Sequence, residues 1–578
     1  MSSASSPTLT EGSMARNPIT SEARARYAQA TIAPWEWVWV LASCAALSVA
    51  AIVWSWQHEA LLNYGDAVAH LHIARRVFDS HQPRFSQLGS VWLPLPHILL
   101  LPFVQVYAWW ANGLAGVFPS ALAYVAACAG MYRLARIWMG PVPAGIGLAW
   151  FALNPNLLYL QTTAMTEPLF VCEMIWLVVG LVEWRSHLDG DPKLSSRRVW
   201  FIALLLVCAV YTRYDGWAMT LVAWSIMGVT LARRRLLRLP AFWLASGVVV
   251  AAPLAWFVYN SAVFGDWLYF LRGPYSAKAI EMRTQIPGYP PHPGWHNPWV
   301  ALLFYMKAAV MDAAAMGWGR ALLLVSALGA GFAWIHPRYH GLGWALLLAL
   351  PIPFYAYSVA YGSVPIFLPV WWPFSWYNVR YGMELLPGFA LCLGFAAQFV
   401  TSSILTREQS PNWLRITRSA LFALVVWNGV QMLREQPIAY VEGVKNIEAH
   451  RGYEQEIPAV LRWLLARRPG ATILMNTSID PQIVALTGIP LRQTINESDL
   501  GVYRDALEAP GAHAEVVLAY DGDEIANAVK AHPEGLTEYR RFSARFQPSI
   551  TLYVSGTLDA WKRTVDPSGV VASLKENQ

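Results

Sequence analysis

Long apolar stretches separated by short polar segments make up most of the chain as far as residue 434. A membrane-crossing helix needs about 20 predominantly apolar residues. Eleven stretches approach or reach that length: 34–57, 117–138, 141–160, 167–184, 199–213, 217–232, 240–261, 319–336, 341–361, 380–400 and 414–434. The pattern therefore predicts a polytopic α-helical membrane protein with about eleven transmembrane helices.

Two further stretches are ambiguous as membrane spans. Residues 91–112 contain three prolines, and residues 298–317 contain Lys307 and Asp312. Basic loops lie mainly in the cytoplasm. If both ambiguous stretches lie along or dip into the outer face, every short basic loop falls on the cytoplasmic side. Counting 91–112 as a full span would instead put the basic loop "LARRRLLR" outside, so we predict juxtamembrane helices at the outer face.

The pattern changes near residue 437, where the chain becomes soluble in character. "ATILMNTS" and "AEVVLAYDG" predict strands, and "DEIANAVKAH" predicts an amphipathic helix. We therefore divide the chain into a disordered cytoplasmic tail (1–33), a transmembrane domain (34–436) and an extracytoplasmic soluble α/β domain (437–578). The first outer loop of the transmembrane domain spans residues 58–116.

Composition supports a membrane protein and argues against other classes. The chain is 56% hydrophobic and 13% charged, whereas about a quarter of the residues are charged in soluble proteins. Its 30 tryptophans fit aromatic belts at the bilayer surfaces. The net charge is +6, and most arginines flank apolar stretches. The expected partner is therefore the lipid bilayer and not nucleic acid. All five cysteines lie in apolar stretches, which excludes a disulfide framework.

Five charged residues at the membrane edge share the outer face under this topology. They are Asp66, Glu167, Arg213, Asp215 and Arg380. Charges at membrane depth are costly and usually mark a functional path. The topology was fixed from the basic cytoplasmic loops alone, so this convergence is an independent observation. It predicts a functional site at the outer face.

Each of these charges also has a purely structural interpretation. Asp66 and Asp215 precede helices that they could cap. Glu167 could be a first-turn acid that the helix dipole favours. Arg380 stands at a helix start, where a cation opposes the dipole, so it needs an anionic partner. That partner is either a structural carboxylate or a ligand phosphate.

Short motifs follow one another along the outer face. "YGDA" leads into an amphipathic helix, and "WLPLPH", "TEPLF", "TRYDG" and "NVRYGMELLP" come after it. This order resembles the GT-C superfamily of membrane glycosyltransferases. The resemblance is greatest to glycosyltransferase family 39, the group of protein O-mannosyltransferases and lipid A aminoarabinose transferases. It covers residues 34–434, and the individual motifs are short.

The resemblance implies a sugar donor carried on a polyprenyl or dolichyl phosphate and an active site that faces away from the cytoplasm. It implies that Asp66 is the general base and that Arg380 binds the lipid phosphate. We predict a single displacement that inverts the anomeric centre. The other residues predicted to bind substrate or hold the base are Glu167, Arg213, Asp215, Tyr381 and His70.

The chain departs from the family pattern in two places. Family members often carry a second acidic residue beside the first, whereas Gly65 and Ala67 flank Asp66 here. This difference puts a paired-carboxylate metal site in doubt. Relatives with a lysine before the proline-rich segment have no counterpart here, since Trp92 and Leu93 occupy that region. The phosphate contact is then left to Arg380, helped by Arg213.

His70 and His72 raise the question of a metal site with Asp66. Asp66 and His70 are four residues apart and share one helix face, while His72 points elsewhere. No third ligand stands at a fixed spacing, so we predict no protein-built metal site. A divalent cation, Mg²⁺ or Mn²⁺, held partly by a substrate phosphate stays open.

Three other functions fit parts of the pattern. A transporter or flippase of lipid-linked sugars usually shows inverted repeats, and we find none. A lipid-linked glycan ligase or polymerase would rely on arginines and need no carboxylate base. A non-catalytic assembly protein would tolerate replacement of the outer-face charges. The sequence leaves open whether a glycan, a lipid or a protein is the acceptor. It favours a bacterial inner membrane with an extracytoplasmic active site and C-terminal domain.

Overall fold

The computed structural model describes residues 32–188, 192–284, 288–336, 342–402, 411–479, 481–544 and 547–562. The predicted tail, 1–33, lies outside the described residues except for its last two positions. The described chain is mostly helical and has a small β-sheet near its C-terminal end. This arrangement confirms the predicted fold class.

Helices form nearly all the regular structure up to Arg434. They are α1 (Pro34–Gln57), α2 (Gly65–Arg76), α3 (Pro94–Val104), α4 (Tyr107–Ala111), α5 (Leu114–Arg136), α6 (Pro141–Ala152), α7 (Pro155–Leu160), α8 (Glu167–His187), α9 (Pro192–Thr212), α10 (Asp215–Arg233), α11 (Pro240–Phe264), α12 (Tyr269–Arg272), α13 (Ala277–Thr284), α14 (Pro298–Ala313), α15 (Gly319–Ile335), α16 (Pro351–Tyr361), α17 (Leu386–Ser402) and α18 (Pro411–Arg434). Short 3₁₀ helices at Phe85–Leu88, Leu342–Ala349 and Val379–Leu385 join them.

Proline sets the start of many of these helices. Its fixed φ and missing N–H suit the first helical turn, and proline opens α1, α3, α6, α7, α11, α14 and α16. Asn154 caps α7 and Asn297 caps α14 through their side-chain oxygens. The chain therefore specifies many of its helix boundaries locally.

Seven of the described helical stretches are long and apolar enough to cross a membrane. They are Pro34–Gln57, Leu114–Arg136, Ser195–Thr212, Pro240–Phe264, Leu342–Tyr361, Val379–Phe399 and Asn412–Ala449. All predicted spans fall on helices, but the count of about eleven stays a prediction. The predicted span 141–160, for example, is broken at Asn154 and Pro155 into α6 and α7.

The two ambiguous stretches do not form long spans in the structure. Residues 91–112 contain two short helices, α3 and α4. Residues 298–317 contain the 16-residue helix α14, whose Asp312 is fully buried. Both results agree with excluding these stretches from the count of full spans.

Helix α8 is buried along most of its length. It packs against α5 and α9, and Phe170 and Trp184 on it are fully buried. Its polar residues include Glu167 in the first turn and Glu183 near the last.

The C-terminal part begins with a long helix and continues into the sheet. Its elements are α19 (Ile438–Arg467), β1 (Ile473–Leu474), α20 (Gln482–Thr487), β2 (Thr494–Ile495), α21 (Gly501–Glu508), α22 (Pro510–His513), β3 (Val516–Tyr520), α23 (Glu524–Ala531), β4 (Leu536–Phe542), β5 (Ile550–Ser555) and α24 (Leu558–Lys562). The predicted strands at 471–478 and 514–522 and the predicted helix at 523–532 are confirmed by β1, β3 and α23.

The sheet has five strands in the order β2-β1-β3-β5-β4. β1 is parallel to β2 and β3, whereas β5 is antiparallel to β3 and β4. In the β3–β5 register, Val516 faces Val554 and Tyr520 faces Ile550.

Helix α19 connects the membrane helices with this sheet. It has 30 residues, a length of about 45 Å at 1.5 Å per residue. Its N-terminal part packs against α7, α2 and the 3₁₀ helix Val379–Leu385. Tyr453, Ile457 and Leu461 are fully buried farther along it. One helix thus belongs to both parts of the molecule.

Candidate active site

Asp66 lies in the first turn of α2, in the segment predicted to be the first outer loop. The N-cap residue of α2 is Tyr64, and no side chain caps the helix. The interpretation of Asp66 as a helix cap is therefore wrong. Its carboxylate accepts a hydrogen bond from Arg380 instead, with 2.5 Å between Nη2 and Oδ2. The Asp66 side chain is 44% exposed.

Arg380 is buried, and each of its guanidinium nitrogens donates to a different carboxylate. Nη2 donates to Asp66, Nε donates to Glu167 Oε1 at 3.0 Å, and Nη1 donates to Glu442 Oε1 at 2.7 Å. The sequence required an anionic partner for this cation at a helix start. The structure supplies three carboxylates as that partner, Asp66, Glu167 and Glu442.

Arg213 is the second arginine of the site, and it binds Glu167 as Arg380 does. Its Nη1 donates to Glu167 Oε1 at 3.2 Å and to Thr166 Oγ1 at 2.9 Å. Glu167 is the first residue of α8, as the first-turn interpretation predicted. One oxygen of Glu167 therefore accepts from both arginines and fixes them beside each other.

Asp215 and Glu384 lie on the other side of Arg213. Asp215 opens α10 but Tyr214 is the N-cap residue, so Asp215 is not the cap of that helix. Its Oδ2 accepts from Arg213 Nε at 3.1 Å. The Tyr355 hydroxyl lies 3.0 Å from Asp215 Oδ2 and 2.8 Å from Glu384 Oε1. A single phenolic proton can serve only one of these carboxylates at a time.

The ring of Tyr381 lies between the two arginines. The guanidinium carbons of Arg213 and Arg380 are 4.9 Å and 5.1 Å from its centroid. Tyr64 approaches Arg380 in the same way, at 5.1 Å. Aromatic faces attract such cations, so both rings help to hold the guanidinium groups.

The backbone around Arg380 is fixed by two special positions. Asn378 has a left-handed conformation with φ of 56°, which asparagine tolerates better than most residues. Its N–H donates to Glu442 Oε1 at 2.7 Å. A Cβ on Gly382 would lie 2.3 Å from the backbone nitrogen of Ala309. Only glycine allows this segment to pack so closely on α14.

Carboxylates outnumber arginines in this cluster, which we call the outer cluster. It contains Asp66, Glu167, Asp215, Glu384, Glu442, Arg213 and Arg380. Within the described residues, Oε2 of Glu167 and Oε2 of Glu384 are buried without a hydrogen-bond partner. Buried like charges repel, so a surplus persists only if a carboxyl keeps its proton or a cation joins the group.

His70 and His72 are turned away from a shared metal site. His70 Nδ1 lies 2.8 Å from His97 Nε2, and the His70 ring packs on Trp92. His72 Nε2 lies 2.6 Å from the carbonyl oxygen of Pro481. Burial lowers the pKa of both His70 and His72 to about 4. Among the residues that the structure describes, no three His, Cys, Asp or Glu side chains are grouped to hold a metal ion.

The structure brings together Asp66, Glu167, Arg213, Asp215, Tyr381 and Arg380. His70 is buried nearby and bound to His97, and its predicted contact with substrate stays a prediction. Three further residues of the site, Glu384, Glu442 and Tyr355, were not predicted from the sequence. Glu384 follows Arg380 by four residues, so helical spacing could have indicated it. Glu442 had no such signal, because it lies beyond the predicted domain boundary.

No protein-family model matches the chain, and no curated protein sequence matches it. Its structure does resemble solved ones. ArnT from Cupriavidus metallidurans aligns with a TM-score of 0.51 when bound to undecaprenyl phosphate and 0.52 in the apo state. Both are 12% identical to this chain, and the alignments cover 88% of this chain and 97% of ArnT. The Archaeoglobus fulgidus oligosaccharyltransferase in complex with Zn and sulfate aligns with a TM-score of 0.44 at 12% identity, over 90% of this chain and 73% of that one.

The likeness to ArnT defines the class of fold. The chain shares the fold of ArnT, which agrees with the GT-C resemblance that the motif order indicated. At this level of identity the likeness concerns the fold, and function has to be argued from the site.

Proposed function

We propose that this protein is an integral-membrane glycosyltransferase. It moves a sugar from a polyprenyl-phosphate donor to an acceptor hydroxyl outside the cytoplasm. The observation that carries the proposal is a half-exposed carboxylate, Asp66, bound at 2.5 Å by the buried Arg380. The other carboxylates of the outer cluster are buried, so an incoming hydroxyl meets Asp66 first.

The fold and a nearby cleft support a lipid-linked donor. The ArnT structure contains undecaprenyl phosphate, and we propose a lipid of this kind for the present chain. An apolar cleft lined by Pro96, Leu100, Met165 and Leu169 reaches Thr166, whose hydroxyl binds Arg213. This cleft is too small to enclose a polyprenyl chain, so we propose that the chain lies along the apolar surface around it, with its phosphate toward the outer cluster.

The reaction exchanges one bond at the anomeric carbon for another. The acceptor oxygen attacks that carbon while Asp66 takes the acceptor proton as general base. The bond from the anomeric carbon to the phosphate oxygen breaks, and its electron pair leaves with the lipid phosphate. A single displacement of this kind inverts the anomeric configuration.

Arg380 couples proton uptake to the departure of the phosphate. Before the reaction, its Nη2 neutralises Asp66. When Asp66 takes the proton its charge disappears, so the Nη2 donor of Arg380 is released to the negative charge that develops on the phosphate. Nε and Nη1 stay bound to Glu167 and Glu442. Arg213 supplies a second positive charge. Glu167, Asp215 and Tyr381 act in this proposal by holding the two arginines.

The steps above use only side chains of the protein itself. A Mg²⁺ or Mn²⁺ ion that arrives bound to the donor phosphate stays a prediction. Activity measured with and without EDTA tests it.

We further propose that the acceptor is a glycan, a lipid or a protein and that the membrane is a bacterial inner membrane. The C-terminal domain would select the acceptor outside the cytoplasm. Two contacts with the first outer loop support this role. Gln482 donates to the Leu62 carbonyl at 3.0 Å, and His72 binds the Pro481 carbonyl. The C-terminal domain therefore adjoins the loop that carries Asp66.

The proposal is tested with purified full-length protein in liposomes and a panel of radiolabelled polyprenyl-phosphate sugars, supplied with glycan, lipid and protein acceptors. We expect turnover of one donor and a loss of about 10²-fold or more in Asp66→Asn. Asp266→Asn is the matched control, because Asp266 is an outer-loop carboxylate whose Oδ1 caps Leu268 N–H at 2.9 Å. Full activity in a folded Asp66→Asn protein would refute the base assignment. If no donor is consumed, the proposed function is wrong.

A further inference from the structure

The first turns of α19 present one face to both halves of the outer cluster. The face consists of Ala439, Glu442, Gly443 and Asn446. Residues spaced by three, four and seven positions lie on the same side of a helix. We call this set the α19 face. It follows the predicted domain boundary and is not part of the site that the sequence predicted.

The α19 face binds the loop that carries Asp66. The Tyr64 hydroxyl donates to the carbonyl of Ala439 at 2.5 Å, and the Gly65 N–H donates to Asn446 Oδ1 at 2.8 Å. Both bonds involve residues next to Asp66 in the chain. The position of the carboxylate is therefore set relative to α19.

Gly443 permits the close approach that these bonds require. A Cβ on Gly443 would lie 3.0 Å from the Tyr159 hydroxyl oxygen and 3.1 Å from Asn63 Cβ. The Ala439 N–H donates to Asn156 Oδ1 at 2.9 Å, which ties the start of α19 to α7. The helix is thus anchored to the membrane part on the side that faces the loop.

Glu442 binds the other half of the site. Its Oε1 accepts from Arg380 Nη1 and from the Asn378 N–H, each at 2.7 Å. Its Oε2 accepts from the Arg380 N–H at 3.4 Å. Glu442 is buried. It therefore holds the side chain and the backbone of Arg380 together.

We infer that Glu442 is a positioning residue of the proposed transferase, and that the α19 face fixes Arg380 relative to Asp66. This inference rests on the proposed function, since that function gives the Asp66–Arg380 contact its catalytic meaning. Without Glu442, the guanidinium can rotate and Nη2 turns away from Asp66. Misplacement by about 1 Å can cost about 10²-fold in rate. Donor binding depends less on this angle, so kcat falls and KM changes little.

The test compares Glu442→Gln, Glu442→Asp and Asn446→Ala with wild type in the full-length protein. Glu448→Gln is the matched control, because Glu448 lies on the same helix and forms an exposed pair with Lys445 at 2.6 Å. We expect kcat to fall by about 10- to 100-fold in Glu442→Gln, with partial recovery in Glu442→Asp and no change in the control. KM for the donor should stay within about threefold.

Hydrogen exchange provides a second readout that does not depend on activity. Exchange should rise in peptides covering Asn378 and Arg380 in Glu442→Gln, and in peptides covering Gly65 in Asn446→Ala. If Glu442→Gln fails to fold, Glu442→Asp and Asn446→Ala carry the comparison.

The outcomes separate this inference from the proposed function. A wild-type kcat in Glu442→Gln, or unchanged exchange in both variants, would overturn the inference while leaving the transferase intact. A wild-type protein that consumes no donor would refute the proposed function. In that case exchange alone decides whether the α19 face fixes the Asp66 loop and Arg380.

Discussion

The two ends of helix α8 each hold a buried glutamate, but the surroundings of the two residues differ. Glu183, near the C-terminal end, pairs with Arg133 at 2.7 Å and with Arg198. Its negative charge is therefore fully compensated. Glu167, at the opposite end, shares its two arginines with four other carboxylates of the outer cluster.

A second buried pair lies at the same end as Glu183. Glu36 of α1 accepts from Arg136 Nε at 3.0 Å and from the Tyr132 hydroxyl. These pairs, which we call the inner pairs, have an arginine for each carboxylate. Stability alone favours that arrangement, because a buried charge is costly unless it is paired. The surplus of carboxylates makes the outer cluster the candidate site for chemistry.

Removal of the central arginine should give the largest effect. Arg380→Ala leaves Asp66 and Glu442 without their cation and Glu167 with Arg213 alone. Arg136→Ala removes the cation of Glu36. Breaking a buried pair costs about 3–5 kcal/mol in either case. Arg380→Ala should also lower donor turnover by about 10³-fold, whereas Arg136→Ala should not. Thermal unfolding and donor turnover of the folded fraction check both statements. Equal loss of turnover in the two variants would show that the outer cluster and the inner pairs do not differ in function.

The glutamates of α8 offer a more conservative comparison. Glu167→Gln keeps the shape of the bridge between Arg213 and Arg380 but removes its charge, so we expect turnover to fall by about 10- to 100-fold. Glu183→Gln should leave turnover unchanged and lower the unfolding free energy by about 1–3 kcal/mol. Measuring kcat and unfolding on the same preparations tests the pair. If Glu183→Gln loses as much activity as Glu167→Gln, the two ends do not differ in function.

Acid should lower the unfolding free energy through two buried histidines of α2, the helix that carries Asp66. The pKa of His70 and of His72 is lowered from 6.5 to about 4 by burial. Between pH 6.5 and pH 4 the unfolded chain therefore binds more protons than the folded chain. The contribution of each histidine to the unfolding free energy is complete above pH 6.5 and decreases toward pH 4. Between pH 7 and 5 we expect a loss of about 1–2 kcal/mol for each histidine.

Unfolding of wild type and His70→Gln at pH 7 and 5 measures this loss. Glutamine can still bond to His97 but does not titrate, so the pH dependence should be smaller in the variant. The exposed His58 supplies the control, since His58→Gln should retain the wild-type dependence. An unchanged slope in His70→Gln would exclude His70 as a source of the acid sensitivity.

The smallest effect is expected for Glu384→Gln. Glu384 is fully buried, and its Oε2 has no partner among the described residues. Neutralising one carboxyl of a surplus should change the unfolding free energy by less than about 1 kcal/mol or raise it, with turnover within about threefold of wild type. Unfolding and turnover assays test this expectation. A large loss of stability would mean that the Glu384 charge is needed to hold Arg213.

Five of the seven outer-cluster residues could be predicted from sequence because charge at membrane depth is rare and informative. Asp66, Glu167 and Arg380 are separated by up to 314 residues, yet the positive-inside rule put them on one face. The structure then brings them into direct contact. The rule uses only topology, so it could not show that Arg380 would be bound to three carboxylates.

Other features lacked a local signal. Glu442 is one of several acids in a polar helix, and nothing in its neighbourhood links it to Arg380. The break between α6 and α7 could have been expected from Asn154 and Pro155, which together form a helix start. The sequence pattern did not show this break, because residues 141–160 are apolar on average and a hydropathy average does not register the two residues at which one helix ends and the next begins. Tyr355 was hidden in the same way within an apolar stretch.

Helix α19 determines where this protein can be truncated or fused to a foreign domain. The same helix carries Glu442 in the outer cluster and Tyr453 and Leu461 in a buried core farther along. A truncation at residue 437 would therefore remove Glu442 from the outer cluster together with the C-terminal part. A chimera that replaces the C-terminal part should keep the native sequence through Asn446 and join the foreign segment after it. The two parts of the molecule meet within a helix and not at a linker.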